Sequence, residues 1–194
     1  AFEADIPVRE QHLSENESRL LENFQFLTAK PMLLLLNIAE RQIPEASSLE
    51  DKFSSTYRRR QCEVGALCGK LEMELAQLDD AEAQIFRSEL GVAQSGLDRV
   101  IRLSYSLLGL ISFFTTASDE VRAWTIRHNT TAQKAAGKIH TDMERGFIRA
   151  EVISHVDLLK CGSLAEARKH GLLCLEGKNY IVQDGDVVTI LFNV

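Results

Sequence analysis

At Gly109 the periodicity of this sequence changes. Before it, apolar residues recur at helical spacing; after it, short alternating runs rich in β-branched and aromatic residues are separated by turn signals. A chain of 194 residues can hold one medium domain or two small ones with real cores, and the change of texture favours two. The charge is divided in the same way. Up to Ile111 there are 12 Lys and Arg against 18 Asp and Glu, whereas from Ser112 onward there are 10 against 10. The net charge of −6 therefore belongs to the first part and does not favour nonspecific DNA binding.

In the first part, Ser14-Glu15-Asn16-Glu17 reads as a capping box, continued by a stripe of Leu20, Leu21, Phe24 and Leu27. Lys30-Pro31 interrupts it. Met32 to Leu36 is a continuous apolar run, expected to be a strand buried on both faces. Asn37 to Glu40 then falls at its carboxyl end, where open α/β sheets place ligands. Residues 41–60, with Arg58-Arg59-Arg60, suit a surface helix and loop; a run of three charges is more often a solvated face than a phosphate site. Leu71, Leu75, Leu78, Phe86 and Leu90 predict one amphipathic helix stopped by Gly91 and Gly96. A second runs from about Leu97 to Leu108, with Val100, Ile101 and Leu108 on its apolar side.

In the second part, Ile111 to Thr115 and Val121 to Ile126 predict strands around a turn at Ser118-Asp119-Glu120. Thr130-Thr131-Ala132-Gln133 predicts a capping box and a short helix to about Gly137. Phe147 to Ile153 predicts a strand, and Ser163-Leu164-Ala165-Glu166 a capped helix stopped at Gly171. Asp184-Gly185, between Tyr180-Ile181-Val182 and Val187 to Phe192, predicts a hairpin. The expected fold class is α+β: short strands around one or two helices, of β-grasp type. The four cysteines have no Cys-x-x-Cys spacing, so reduced structural thiols are expected. The longest apolar run is too short to span a bilayer, and nothing near Ala1 resembles a secretory signal, which together predict a cytoplasmic protein.

Three stretches carry a resemblance. They are Phe26-Leu27-Thr28-Ala29-Lys30-Pro31 leading into Leu36-Asn37-Ile38-Ala39-Glu40; Leu107 through Thr115 to Glu120-Val121-Arg122-Ala123-Trp124-Thr125-Ile126; and Ala135-Ala136-Gly137-Lys138-Ile139-His140-Thr141-Asp142 through to Asn179-Tyr180-Ile181-Val182-Gln183-Asp184-Gly185-Asp186. Together they resemble the YchF/Obg-like ATPases, a branch of the P-loop GTPases that prefers ATP. The resemblance implies that residues 1–29 are the return from a coiled-coil insertion. Residues 30–110 would be the C-terminal part of a P-loop-type α/β nucleotide-binding domain, and 111–194 a β-grasp TGS domain. The family's phosphate loop lies upstream, and no Gly-x-x-x-x-Gly-Lys-Ser/Thr occurs here. The chain is then either a fragment or a short gene product, expected to hydrolyse neither ATP nor GTP alone. In a complete protein the cofactor would be ATP, with GTP as the alternative, and Mg²⁺.

The resemblance also names residues. Asn37 and Glu40 match the family's Asn-x-x-Glu, which replaces the guanine-reading Asn-Lys-x-Asp. Taken alone, Asn with Glu three positions on is a near-chance pattern. Cys68-Gly69-Lys70 stands where the family has a Ser-Ala-Lys-like base-contacting segment, so Cys68 and Gly69 join the candidates. For the TGS part the implied partner is the ribosome or structured RNA, with Arg122, Arg127, Lys134, Lys138 and His140 as docking candidates; a protein partner is the alternative. His140 and Asp142 invite an acid/base story, but no nucleophile accompanies them and a structural hydrogen bond is the better reading. Trp124, Phe113 and Phe114 read as packing aromatics. Cys174, Thr189 and Leu191 take positions where basic residues are expected in many relatives, making the outer face of the last strands less basic.

Overall fold

The structure, a computed structural model, describes residues 6–56, 61–92, 94–117 and 120–193. It divides into two compact units, Ala1–Leu108 and Gly109–Val194. Arg58, Arg59 and Arg60 lie outside the described residues, as do Ser118 and Asp119.

The first unit is built on two parallel strands, β1 (Met32–Asn37) and β2 (Cys62–Leu67), paired in register from Met32↔Cys62 to Asn37↔Leu67. Sequence reading missed β2: its six residues include a glutamate and a glycine, and what makes them a strand is the pairing with β1. At Gly65 a Cβ would come within 2.5 Å of Leu103 Cδ1 on α5 (Gly96–Leu108), so any larger residue would push that leucine aside. β1 is not buried on both faces as its apolar run predicts. Its residues are half-buried or exposed, Leu35 being 42% exposed. Among the described residues its outer edge has no strand partner.

The helices of this unit are α1 (Glu15–Glu22), α2 (Ala46–Thr56), α3 (Gly69–Leu75), α4 (Asp80–Glu89) and α5. The Ser14/Glu17 capping box forms, but α1 stops at Glu22 and the predicted stripe is not a core: Leu20, Phe24 and Leu27 are exposed. The single helix predicted over 71–90 is two. Asp79 accepts the Glu82 N–H and caps a new helix, so the chain breaks after α3, leaving Leu78 and Phe86 at the surface. Leu71, Leu75 and Ala83 pack with Ile38, Ala66 and Cys68 into the core of this unit. On α5, Val100, Leu103 and Leu107 are half-buried while Ile101 and Leu108 are exposed, so the apolar face is rotated from the predicted one. Glu50 on α2 joins the pieces. Its carboxylate accepts the Ala66 N–H of β2 at 2.5 Å and both Arg99 bonds from α5 at 2.5 and 2.6 Å. It thereby satisfies a ladder donor on the edge of β2 facing away from β1.

The second unit is a five-stranded sheet: β3 (Leu110–Ala117), β4 (Glu120–Arg127), β5 (Phe147–Ser154), β6 (Cys174–Glu176) and β7 (Asp186–Phe192), in the order β4-β3-β7-β5-β6. β3 and β7 are parallel; the other neighbours are antiparallel. On one face α6 (Ala132–Ile139) sets Ala132 and Ala135 against Ile111, Phe113, Ile126, Val152 and Val188. On the other, α8 (His155–Cys161) and α9 (Leu164–Lys169) cover Phe114, Ile153 and Val187. Phe113 and Phe114 thus serve opposite cores, and Trp124 packs inward while donating its indole N–H to Thr115 Oγ1 at 2.9 Å.

Two local expectations fail here. No capping box forms at Thr130: Thr131 is the N-cap without a side-chain bond, Gln133 donates instead to the Glu144 carbonyl, and α6 runs on to Ile139. Asp184-Gly185 is a turn, with Gly185 at φ +81, but not a hairpin. The segment before it touches Thr131 through an isolated bridge at Ile181, whereas β7 enters the middle of the sheet. The turn is fixed by its own side chains. Asp184 accepts the Ser112 N–H at 2.8 Å, and buried Asp186 accepts from Tyr180 OH and the Gln183 N–H, each at 2.8 Å.

Burial, and then the bond to Asp186, push the Tyr180 phenol well above its usual range. The folded protein therefore keeps this proton where the unfolded chain loses it, at about pH 10. Its stabilising contribution is complete below that pH and declines as pH rises above it. Chemical denaturation between pH 8 and 11 should show that decline, and Tyr180→Phe should flatten it; an equal slope in both proteins would contradict the assignment.

Candidate functional site

Because β1 and β2 are parallel and in register, the loops that leave them start side by side. Asn37 ends one strand and Cys68 follows the other. The two loops are stitched together: Ile38 N–H donates to the Leu67 carbonyl at 3.0 Å, and Gly69 N–H donates to Asn37 Oδ1 at 3.1 Å. A Cβ at Gly69 would stand 3.3 Å from that same oxygen, a tight contact that a side chain there would make by displacing Asn37 slightly.

Beyond Asn37 the chain makes a 3-10 turn, Glu40–Glu45. Ala39 N–H donates to Gln42 Oε1 at 3.0 Å, and Gln42 N–H returns the bond to the Ala39 carbonyl at 2.8 Å. The turn and the Cys68 loop border an open pocket of about 810 Å³. Asn37, Ile38, Ala39, Glu40, Arg41, Ile43, Pro44, Cys68, Lys70 and Leu90 line it. Leu90, at the end of α4, gives an apolar wall with Ile43 and Pro44; Glu40, Arg41 and Lys70 give charge. Cys68 is buried, and Asn37 and Glu40 are exposed. The structure thus brings Asn37, Glu40, Cys68 and Gly69 together at the carboxyl edge of a parallel sheet. Sequence reading did not find Gln42, Ile43 or Leu90. The available signal was Gln three residues after Ala39, a capping spacing without a Ser, Thr, Asp or Asn to announce it.

The candidates in the second unit are more scattered. Lys134 and Lys138 lie one turn apart on the exposed side of α6. Arg122 and Arg127 are on β4 at positions of opposite parity, hence on opposite faces, and Arg122 is paired with Glu120 at 3.0 Å. His140 caps α7 (Thr141–Arg145): its Nδ1 accepts the Asp142 N–H at 3.2 Å. Arg145 bonds to Asp142 and holds its carboxyl below the usual carboxylate range, aided by the charges of Arg145 and His140. The expected less basic face also splits. Thr189 and Leu191 share a face, pairing with Glu151 and Arg149, but Cys174 pairs with Val152 and belongs to the opposite one. Among the described residues no three His, Cys, Asp or Glu side chains converge as a metal site would require, and no helix is long and apolar enough to cross a membrane.

The family YchF-GTPase_C, described as a protein of unknown function (DUF933), matches residues 110–193. Outside that span the curated relatives extend the match to the whole chain. A protein named ribosome-binding ATPase YchF, from Bacillus subtilis (strain 168), is 44% identical over 196 aligned residues, covering 100% of this chain. Along its whole length the chain resembles the C-terminal half of YchF proteins. A protein of the same name from Haemophilus influenzae is 42% identical over 96% of this chain. The YchF GTPase of Schizosaccharomyces pombe has a similar solved structure, with a TM-score of 0.78 and 30% identity over 97% of this chain and 50% of that one. A GTP binding protein from Pyrococcus horikoshii OT3, 18% identical with a TM-score of 0.56 over 86% of this chain and 47% of that one, shares the fold. The chain spans about half the length of these YchF relatives, 54% and 51% of the two bacterial proteins, and the match falls on their C-terminal half.

The Asn37–Gly69 bond can be tested without any ligand. Asn37→Ala should expose the Gly69 amide to faster hydrogen exchange and cost about 1 kcal/mol in chemical denaturation. Asn37→Asp, which keeps an acceptor oxygen, should retain most of the protection.

Proposed function

We propose that this chain is the C-terminal part of a translation-associated, cytoplasmic nucleotide hydrolase of the YchF kind. It would join a purine-base pocket in residues 30–110 to a TGS docking domain of β-grasp form in residues 111–194, with residues 1–29 returning from a coiled-coil insertion. The observation that carries the nucleotide reading is the stitched pair of loops: Asn37 and Gly69 bonded to each other beside Glu40, at the carboxyl ends of parallel strands.

The chemistry of that site favours adenine. Guanine offers N1–H and an exocyclic amine, which the aspartate of Asn-Lys-x-Asp accepts. Adenine has an acceptor at N1 and a donor only at its 6-amino group. In this reading Glu40 accepts that amino group, Asn37 holds the opposing loop, and Ile43, Pro44 and Leu90, which line the pocket, form an apolar wall beside the ring. In the complete protein ATP, with GTP as the alternative, would bring Mg²⁺, and phosphoryl transfer would need a phosphate loop to stabilise the transferring group. This chain binds and orients the base.

The test is a titration of the chain with adenosine and guanosine 5′-monophosphates, followed by amide NMR. AMP should shift Asn37, Ile38, Glu40 and Gly69 at millimolar concentration, GMP should shift them less, and Glu40→Ala should weaken AMP by about tenfold. Absence of any AMP-dependent shift at these residues overturns the base-pocket reading.

For the second unit, the relatives' shared name supports docking on the ribosome, and the strand order, with β3 and β7 parallel, supports the β-grasp form. Lys134 and Lys138 provide the exposed basic ridge, with His140 just beyond it; Arg122 and Arg127 stand on β4. Co-sedimentation with ribosomes should weaken steeply between low and moderate salt. Lys134→Glu with Lys138→Glu should release the protein. A folded chain that stays in the supernatant at every salt concentration would favour a ubiquitin-like role toward a protein partner.

A further inference from the structure

Three backbone or side-chain bonds at the rim of the pocket spend its amide donors internally. Ile38 N–H goes to Leu67, Gly69 N–H goes to Asn37, and Ala39 N–H goes to the carboxamide oxygen of Gln42 at 3.0 Å. The first two hold the two strand ends together. The third is different. Ala39 lines the pocket beside Glu40, whereas Gln42 is not part of the lining and reaches Ala39 from within its own turn.

The Watson–Crick edges of the purines differ at the 6-position, the group that Glu40 reads in the base-pocket proposal. Guanine presents the O6 acceptor, which rewards a backbone N–H. Adenine presents an amino group there, which is indifferent to a spent donor and gains from a carboxylate. We propose that Gln42 is a positioning residue for purine selection: by occupying the Ala39 N–H it withholds from the pocket a donor that guanine O6 would otherwise use, leaving Glu40 as the group that reads the base. The inference rests on the base-pocket reading above. It assigns selectivity to a side chain outside the lining, because a donor already bonded within the protein gives O6 no compensation for lost water.

The titration with AMP and GMP separates the two ideas. In Gln42→Met, which keeps length and removes the acceptor, the affinity for GMP relative to AMP should rise by about threefold to tenfold. Gln42→Ala should do the same, so that a folding defect in one variant leaves the other as the test. Gln42→Glu, which still presents an oxygen to Ala39, should keep the wild-type ratio. Hydrogen exchange should report a faster Ala39 amide in the Met and Ala variants and a protected one in the Glu variant. If the Ala39 amide is released but the GMP-to-AMP ratio is unchanged, or if both nucleotides weaken equally, Gln42 only stiffens the turn and the inference fails while the base pocket stands. If the wild-type chain shows no shift with either nucleotide, both fall.

Discussion

Six residue pairs of parallel register, Met32↔Cys62 to Asn37↔Leu67, set the geometry of everything at the candidate site. Parallel pairing brings the two carboxyl ends to one edge, and the in-register match brings Asn37 level with Leu67, one residue before Cys68. A slip of one residue would move Asn37 away from the Gly69 amide and turn β1's side chains to the other face. Two strands are a small sheet for such a duty, and the surrounding helices make it possible. Glu50 takes a ladder amide that β1 cannot reach and anchors Arg99 in the same contact. Gly65 lets α5 settle directly on the strand.

At the candidate pocket the amides of Ile38, Ala39 and Gly69 already have acceptors within the protein. Its lining also holds a carboxylate, Glu40, two cations, Arg41 and Lys70, and an apolar wall. Amides bonded in this way hold the two loops to each other whether or not anything occupies the pocket. The second unit differs: its candidate docking side chains are long, exposed and spread over a helix and two faces of a strand.

Much of this was legible in the sequence, and the omissions have a common cause. The change at Gly109, the strands on either side of it, α5 and the Ser163 cap are local patterns, and local patterns survive folding. Asn37, Glu40, Cys68 and Gly69 were reached through family resemblance, and pairing across 32 residues is what gathers them. β2 could not be read because Cys62 to Leu67 is a strand only by virtue of its partner. The helix over 71–90 was misread because Asp79 interrupts a stripe whose apolar spacing continues regardless. Asp184-Gly185 gave the correct turn and the wrong neighbour: local chemistry fixes the bend, while the sheet decides which strand lies alongside. Gln42 escaped notice because its partner is a main-chain amide of an alanine.

The position of β7 has a consequence for how this unit comes into being. It is the last strand of the unit along the chain, yet it lies at the centre of the sheet, with β3 on one side and β5 on the other. Until residues 186–192 are available, β4-β3 and β5-β6 are two separate antiparallel pairs with no strand to join them, each too small to be stable alone. During synthesis those residues are the last of the unit to leave the exit tunnel. The earlier strands must therefore wait with open edges, and the sheet closes in one late, non-local step after translation has passed them.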